Sequence, residues 1–217
     1  MKKSTSSSTK CATRDRIVAV SREFFLKNGH RGVTMEELAG IIGVSKKTLY
    51  VYFPTKLAIL EAVMDTQFEM VFNTLEAVRA ENEANTIVCF EAVIARWQEF
   101  LATVQPVFWR DVHLDAHHFL QSTEQRRLKI VHGIFERIIR DGIAKGDFVY
   151  DANPEVGSEI LLGAIEGLVR SERLAQMGFT TKELILMFIR RIFEGSLTDQ
   201  GREKLKELKA AKHSKAE

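Results

Sequence analysis

The sequence predicts an all-α protein with a small N-terminal helical domain and a larger C-terminal helical bundle. Apolar residues recur at helical spacing along most of the 217 residues, and capping signals precede several of these stretches. No stretch alternates apolar and polar residues for long enough to form a strand. The hydrophobic content of 45% is sufficient for a packed core.

Charge and cysteine content narrow the class of protein. The net charge is only +2, so binding to nucleic acid would need a local basic patch. No apolar stretch reaches the length required to cross a bilayer, which predicts no membrane partner. The only cysteines, Cys11 and Cys89, lie in unrelated contexts and suggest a reducing cytoplasm rather than a disulfide framework.

The N-terminal domain is predicted from local signals. Residues 1–12 are rich in Ser, Thr and Lys and have nothing to bury, so we expect a disordered basic arm. Residues 13–56 form the predicted helix-turn-helix domain, whose first helix ends at Asn28 and Gly29. Thr34 with Glu37 forms a capping box that starts the second helix. Gly43 permits the turn that follows, and Ser45 caps the third helix.

The third helix presents chemistry suited to DNA. With Leu49 and Phe53 turned inward, its outer face carries Lys46, Lys47, Thr48, Tyr50 and Val51. Cations, hydroxyls and a methyl-bearing side chain are the groups that contact phosphates, base acceptors and thymine methyls. A helix-turn-helix places this second helix of the motif in the major groove. The alternative is an ordinary solvated face of a three-helix bundle.

The segment from Thr34 to Lys56 resembles the DNA-binding domain of the TetR family of bacterial transcriptional repressors. The matching residues are Thr34, Leu38, Ala39, Gly43, Val44, Ser45, Thr48, Leu49, Tyr50, Tyr52, Phe53 and Lys56. In the family a small residue often follows the serine, whereas two lysines follow it here, so no base preference is carried over.

The resemblance implies a repressor that binds a palindromic site on double-stranded DNA as a homodimer. A pocket in the middle of the chain, described below, further predicts release of the DNA by a small-molecule effector. The resemblance also implies that Lys46, Lys47 and Val51 face base edges. The remaining candidate DNA-binding residues, mostly for phosphate contacts, are Thr34, Ser45, Thr48, Tyr50, Tyr52 and Lys56.

Residues 57–197 are predicted to form a ligand-binding and dimerisation domain. A long helix from Pro54 to about Arg79 links it to the DNA-binding domain, and helices follow over 86–105 and, irregularly, 107–120. Ser122 with Gln125 is predicted to cap the next helix, which ends near Gly146.

An aromatic effector pocket is predicted in the middle of this domain. Dense aromatics are most simply a core, but Pro106 and the irregular helix after it favour a cavity, and cavities between bundle helices are common ligand sites. The predicted pocket is apolar with a few polar anchors. Its candidate lining residues are Phe68, Phe72, Phe90, Trp97, Phe108, Trp109, His113, His117 and Phe135.

The histidines raise the alternative of a helical metal-dependent enzyme. His113 and His117 are four residues apart and would share one face of a regular helix. No HExxH motif is present, and a third ligand would come from a distant residue such as His132. No nucleophile and base pair, glycine-rich phosphate loop or CxxC motif supports an enzyme. We therefore predict no catalytic residue, metal site or cofactor.

Two late helices are predicted to form the dimer interface. Asn153 and Pro154 start the first, predicted to end at Met177 and Gly178, and Thr180 with Glu183 starts the second, which ends at Gly195. Both are too apolar for a one-sided surface helix, so a partner subunit should cover them, the alternative being an internal hairpin in a monomer. The candidate interface residues are Gly163, Gly167, Leu184, Phe188 and Ile192. Residues 198–217 are predicted to be a charged tail that forms a frayed helix.

Overall fold

A computed structural model of the chain describes residues 4–149, 153–171, 173 and 176–214. The fold is all-α, as predicted. The helices are α1 Ser4–Asn28, α2 Met35–Ile42, α3 Lys46–Tyr52, α4 Lys56–Glu81, α5 Thr86–Ala102, α6 Pro106–Leu114, α7 Ala116–Ile130, α8 Arg137–Ala144, α9 Pro154–Arg170, α10 Thr181–Gly195 and α11 Asp199–Ser214. A π-helix, Val131–Glu136, joins α7 to α8.

The chain divides into two compact units that do not follow the order of the sequence. The first, here the DNA-side unit, comprises Met1–Glu69 and Thr103–Thr123. The second, here the C-terminal unit, comprises Met70–Ala102 and Glu124–Glu217. Helix α6 and the start of α7 therefore belong with the N-terminal helices, whereas the sequence predicted a linear boundary after residue 56.

Helix α1 begins at Ser4, nine residues before the predicted start at position 13. Residues 4–12 contain neither glycine nor proline, and a helix that is already nucleated extends readily through such a segment. The structure thus differs from the disordered arm that composition alone predicts. Residues 1–3 of that arm lie outside the described residues.

The predicted caps of the C-terminal unit are present. Asn153 accepts hydrogen bonds from the N–H groups of Glu155 and Val156, and Thr180 forms a capping box with Glu183. Helix α10 ends at Gly195 as predicted, but α9 ends at Arg170, earlier than the predicted end at 177. Residues 172, 174 and 175 of the predicted longer helix lie outside the described part.

Two predicted features between α6 and α8 are wrong. Ser122 does not start a helix, because α7 already begins at Ala116 and the Ser122 hydroxyl donates back to the carbonyl of Phe119. His113 and His117 do not share a regular helix, because α6 ends at Leu114 and His117 lies in α7. A cap and a mid-helix serine have the same local sequence, so only the packing distinguishes them.

The charged C-terminal segment is a helix, as predicted, but it is docked rather than frayed. Asp147, which is 1% exposed, accepts hydrogen bonds from Lys204 at 2.6 Å and from Gln200 at 3.4 Å. Leu205 is buried, and Phe148 and Leu197 form an isolated antiparallel β-bridge. Helix α11 is therefore part of the packed C-terminal unit.

No helix in the described ranges combines the length and the apolar character needed to span a membrane.

The two cysteines differ sharply in exposure, which generates a first prediction. Cys11 is exposed, whereas Cys89 is buried, and burial raises the pKa of the Cys89 thiol to about 11. At pH 7 the Cys89 thiol is then almost entirely un-ionised and therefore unreactive. We expect a thiol reagent to modify Cys11 quickly in the native protein and Cys89 only when the protein unfolds. Two fast reactions, or a fast reaction that persists in Cys11→Ser, would contradict this packing.

Candidate nucleic-acid interface

Helices α2 and α3 are held together by buried apolar contacts and by a tight turn. Leu38, Ile42 and Leu49 are fully buried. Gly43 ends α2 with φ 76°, a left-handed conformation that favours glycine. The guanidinium of Arg16 on α1 donates to the carbonyl of Ile42 at 3.0 Å, which satisfies a free carbonyl at the end of α2. This places α3 rigidly on the surface of the DNA-side unit.

The outward face of α3 is exposed as its sequence predicts. Lys46, Lys47, Tyr50 and Val51 are exposed, Val51 at 72%, while Thr48 and Tyr52 are half-buried. The apolar side chain of Val51 is therefore accessible to a partner. Contact with a thymine methyl group requires an accessible apolar side chain of this kind.

The cap residues are already engaged within the protein. The Thr34 hydroxyl accepts from the N–H of Glu37 at 3.2 Å and donates to the Glu37 carboxylate at 2.8 Å. Ser45 accepts from the N–H of Thr48 at 3.0 Å. Their first role is to start α2 and α3, and both stay exposed at the helix N-termini, where an anion is favoured.

Lys46 is paired with an acid of α2. Its ammonium lies 2.8 Å from the carboxylate of Glu36, and both side chains are largely exposed. The hydrogen bond lowers the pKa of Glu36 and raises the pKa of Lys46. An exposed ion pair of this kind is weak, so DNA can compete for Lys46.

Lys56 is held in place by the backbone of a neighbouring turn. Its ammonium donates to the carbonyl of Arg31 at 3.0 Å and to that of Val33 at 2.7 Å. Partial burial, followed by the nearby Arg31 charge, lowers its pKa. An ammonium has three donors, so one remains for a phosphate.

Two arginines that contribute to the basic character of this region serve the fold. Arg14 stacks over the ring of Phe53 at 5.4 Å, and Arg16 binds the end of α2. Both therefore steady the motif while adding positive charge beside it.

The predicted pocket residues are distributed over both units. Phe72, Phe90, Trp97 and Phe135 lie in the C-terminal unit, where the rings of Trp97 and Phe135 are 5.3 Å apart. A small cavity in that unit encloses about 30 Å³, room for about one water. Its lining includes two predicted residues, Phe90 and Phe135, among several others. The predicted residues that lie in the DNA-side unit are Phe68, Phe108, Trp109, His113 and His117.

The predicted dimer-interface residues differ in how exposed they are in the single chain. Gly163 and Gly167 are exposed, and a Cβ added at either would meet open space. Phe188 and Ile192 are half-buried, and Ile192 lines the small cavity. Leu184 is only 6% exposed within its own chain, which leaves its side chain little surface for a partner and argues against that part of the prediction.

Within the described residues, no three His, Cys, Asp or Glu side chains are grouped so that they could hold a metal ion. His113 and His117 lie on separate helices, which removes the geometric basis of the metal-pair alternative.

Comparison with known proteins identifies the motif. Residues 17–63, which include α2 and α3, match the family model of bacterial regulatory proteins, tetR family. Residues 17–63 are therefore a DNA-binding domain of the tetR family type. The chain is a DNA-binding transcriptional regulator, and the relatives that it matches are regulators rather than enzymes.

Curated relatives and a solved structure are similar to the chain over most of its length. The chain is 21% identical to the HTH-type transcriptional regulator TtgR of Pseudomonas putida, over 73% of its own length and 79% of the relative's. It is 28% identical to the nucleoid occlusion factor SlmA of a Marinomonas species, over 64% of its own length and 71% of the relative's. The solved structure of a TetR transcription regulator from Haloarcula marismortui shares the fold, with a TM-score of 0.62 and 20% identity. The match covers 87% of this chain and 100% of that structure.

The Glu36–Lys46 pair generates a second prediction. Replacing Glu36 by Gln frees Lys46 and removes a negative charge beside the recognition helix. We expect DNA of any sequence to bind several-fold more tightly at low salt, with a steeper salt dependence. Fluorescence anisotropy over a salt series measures both.

Glu203→Gln is the matched control, because Glu203 forms a similarly exposed pair with Lys206, at 3.1 Å, in the C-terminal unit. It makes the same change in net charge. If both variants shift DNA affinity equally, the effect is one of overall charge, and Glu36 has no particular influence on Lys46.

Proposed function

We propose that this TetR-family regulator is a cytoplasmic repressor that binds a palindromic operator as a homodimer and is released by a small, largely apolar effector. The observation that carries the proposal is the exposed surface of α3, whose cations, hydroxyls and valine methyls stand on a rigidly capped helix. Lys46, Lys47 and Val51 are assigned to base edges. Thr34, Thr48, Tyr50, Tyr52 and Lys56 are assigned to phosphates, with Ser45 fixing the start of the helix.

An uncovered face of α9 supports the homodimer. Val156 and Ile160 are 53% and 56% exposed, and Gly163 and Gly167 continue the same face at helical spacing. Large exposed aliphatic side chains beside glycines offer a flat apolar surface on which a second helix can pack closely. A twofold dimer would also present two recognition helices to half-sites about 34–36 Å apart.

Aromatic side chains support an apolar effector. Trp109 is half-buried, and its indole N–H is buried without a hydrogen-bond acceptor among the described residues. A buried unpaired donor is unfavourable, and an acceptor on a ligand would satisfy it. Trp97 and Phe135 supply apolar aromatic surface in the C-terminal unit.

The proposed dimer face yields a third prediction. Gly163→Leu places a bulky side chain in space that is open in the single chain, so the subunit should fold normally while close helix contact is blocked. Sedimentation should show a monomer, and operator binding should be lost although α3 is intact. Gly40→Leu also enters open space, but on α2, and should remain a dimer. A Gly163→Leu protein that stays dimeric would place the interface elsewhere.

Effector control yields a fourth prediction, based on thermodynamic linkage. Once an operator has been selected from random DNA, hydrophobic compounds are titrated with and without it while tryptophan fluorescence is followed; Trp97 and Trp109 are the only tryptophans. An effector that weakens operator binding by some factor must itself be bound more weakly, by the same factor, when operator is present. Equal affinity in both titrations would show that the compound binds without inducing. Failure to select any sequence over random DNA would end the operator proposal itself.

A further inference from the structure

The turn between α1 and α2, residues 29–33, has backbone donors that neither helix can satisfy. Gly29 adopts φ +77°, which ends α1 and directs the next N–H groups away from that helix. The N–H groups of His30 and Arg31 donate instead to one carboxylate oxygen of Asp111, at 2.8 and 2.9 Å. Asp111 lies on α6, about 80 residues away in sequence, and is 1% exposed.

The turn fits closely against this carboxylate. A Cβ at Gly29 would lie 2.3 Å from the Asp111 oxygen, so glycine is required both for its φ and for the space. Burial alone would raise the pKa of Asp111, but the N–H of Arg31, the guanidinium of Arg110 and the N–H of His30 hold it below its ordinary value. Asp111 is therefore an ionised, buried acceptor.

A second acid on the same stretch strengthens the contact. Asp115, at the end of α6, lies 2.9 Å from Nε2 of His30 and also pairs with Arg31. The His30 ring is buried and packs edge-on against Phe25 of α1 and Phe108 of α6. The turn is thus held to α6 through both its backbone and its side chains.

The opposite side of the same turn is held by α4. The Lys56 ammonium binds the carbonyls of Arg31 and Val33, and the residue after Val33 is Thr34, the cap of α2. The donors of the turn are therefore fixed from α6 and its acceptors from α4. The position at which α2 begins, and with it the placement of α3, depends on both contacts.

We propose that Asp111 is a positioning residue for DNA binding, which acts by fixing the α1–α2 turn and thereby the orientation of the helix-turn-helix. Asp111 itself touches no DNA. Its role rests on the proposed operator binding, because a displaced motif matters only where base edges must be met in register. Binding to random DNA depends chiefly on charge and tolerates such displacement.

The test compares Asp111→Asn with Asp147→Asn. Asn keeps the size of the side chain, but its amide NH2 is a donor. The substitution also removes the negative charge of the carboxylate to which the two backbone N–H groups donate. Asp147 is the matched control, since it is equally buried at 1% exposure and accepts from Lys204 and Gln200 in the C-terminal unit. Both variants are measured at a temperature where circular dichroism shows them fully folded.

Asp111→Asn should bind the selected operator roughly tenfold or more weakly, comparable to losing one good base contact, while its affinity for random DNA stays unchanged. Asp147→Asn should lower the melting temperature but keep the ratio of operator to random-DNA affinity. If Asp111→Asn lowers only the melting temperature, Asp111 is merely structural and the proposal is overturned.

Asp115→Asn tests the same contact if Asp111→Asn fails to fold, because the Asp115 side chain is 25% exposed and its loss is less severe. Its specificity ratio should fall in the same direction by a smaller factor, and an unchanged ratio overturns the proposal. Failure of the wild-type chain to prefer any operator would instead refute the proposed function, so the two outcomes are separable.

Discussion

The need to satisfy buried backbone groups in the α1–α2 turn shapes the DNA-side unit. A short turn beside packed helices cannot leave its N–H groups unpaired, because each buried unpaired donor is unfavourable by about 1–3 kcal/mol. The carboxylate of Asp111 satisfies two of them, and Lys56 pairs two carbonyls on the other side. Helix α6 is consequently part of the same compact unit as α1–α3, although the chain returns to it only after two long helices.

Features that depend on residues close together in the sequence could be predicted, whereas contacts of this turn with distant residues could not. The capping boxes at Thr34 and Thr180, the glycine at 43 and the Asn153 cap involve residues only a few positions apart, so they are visible in the sequence and are confirmed. Asp111 looks like an ordinary surface acid in the sequence, since its partners are about 80 residues away. A contact between a carboxylate and a turn that meet only in three dimensions leaves no local signal.

The docking of the C-terminal helix and the distribution of the predicted pocket residues over two units could not be read from the sequence, for related reasons. The Lys- and Glu-rich composition of 198–217 suggested a frayed helix, yet Leu205 is buried and Lys204 pairs with Asp147, so the helix is docked. The pocket residues were predicted mainly because the middle of the chain is rich in aromatic residues. An aromatic-rich sequence does not show which rings contact one another in the fold. The structure brings Trp97 to Phe135, whereas the predicted aromatics as a whole fall into two units. The outward face of α3, by contrast, was predictable because its period follows directly from the Ser45 cap.

A regulator with a net charge of only +2 must limit the charge-driven part of its DNA affinity to a local surface. Among the described residues, some cations of that surface also bind the protein itself: Lys46 is paired with Glu36, and Lys56 is bound to two carbonyls. Arg16 is likewise occupied by the end of α2. Because these contacts compete with phosphate binding, they reduce the charge-driven affinity for random DNA, and a larger share of the affinity has to come from side chains that meet bases in register. Such a division makes binding sensitive to the exact placement of α3, and the buried contacts from α4 and α6 supply that placement.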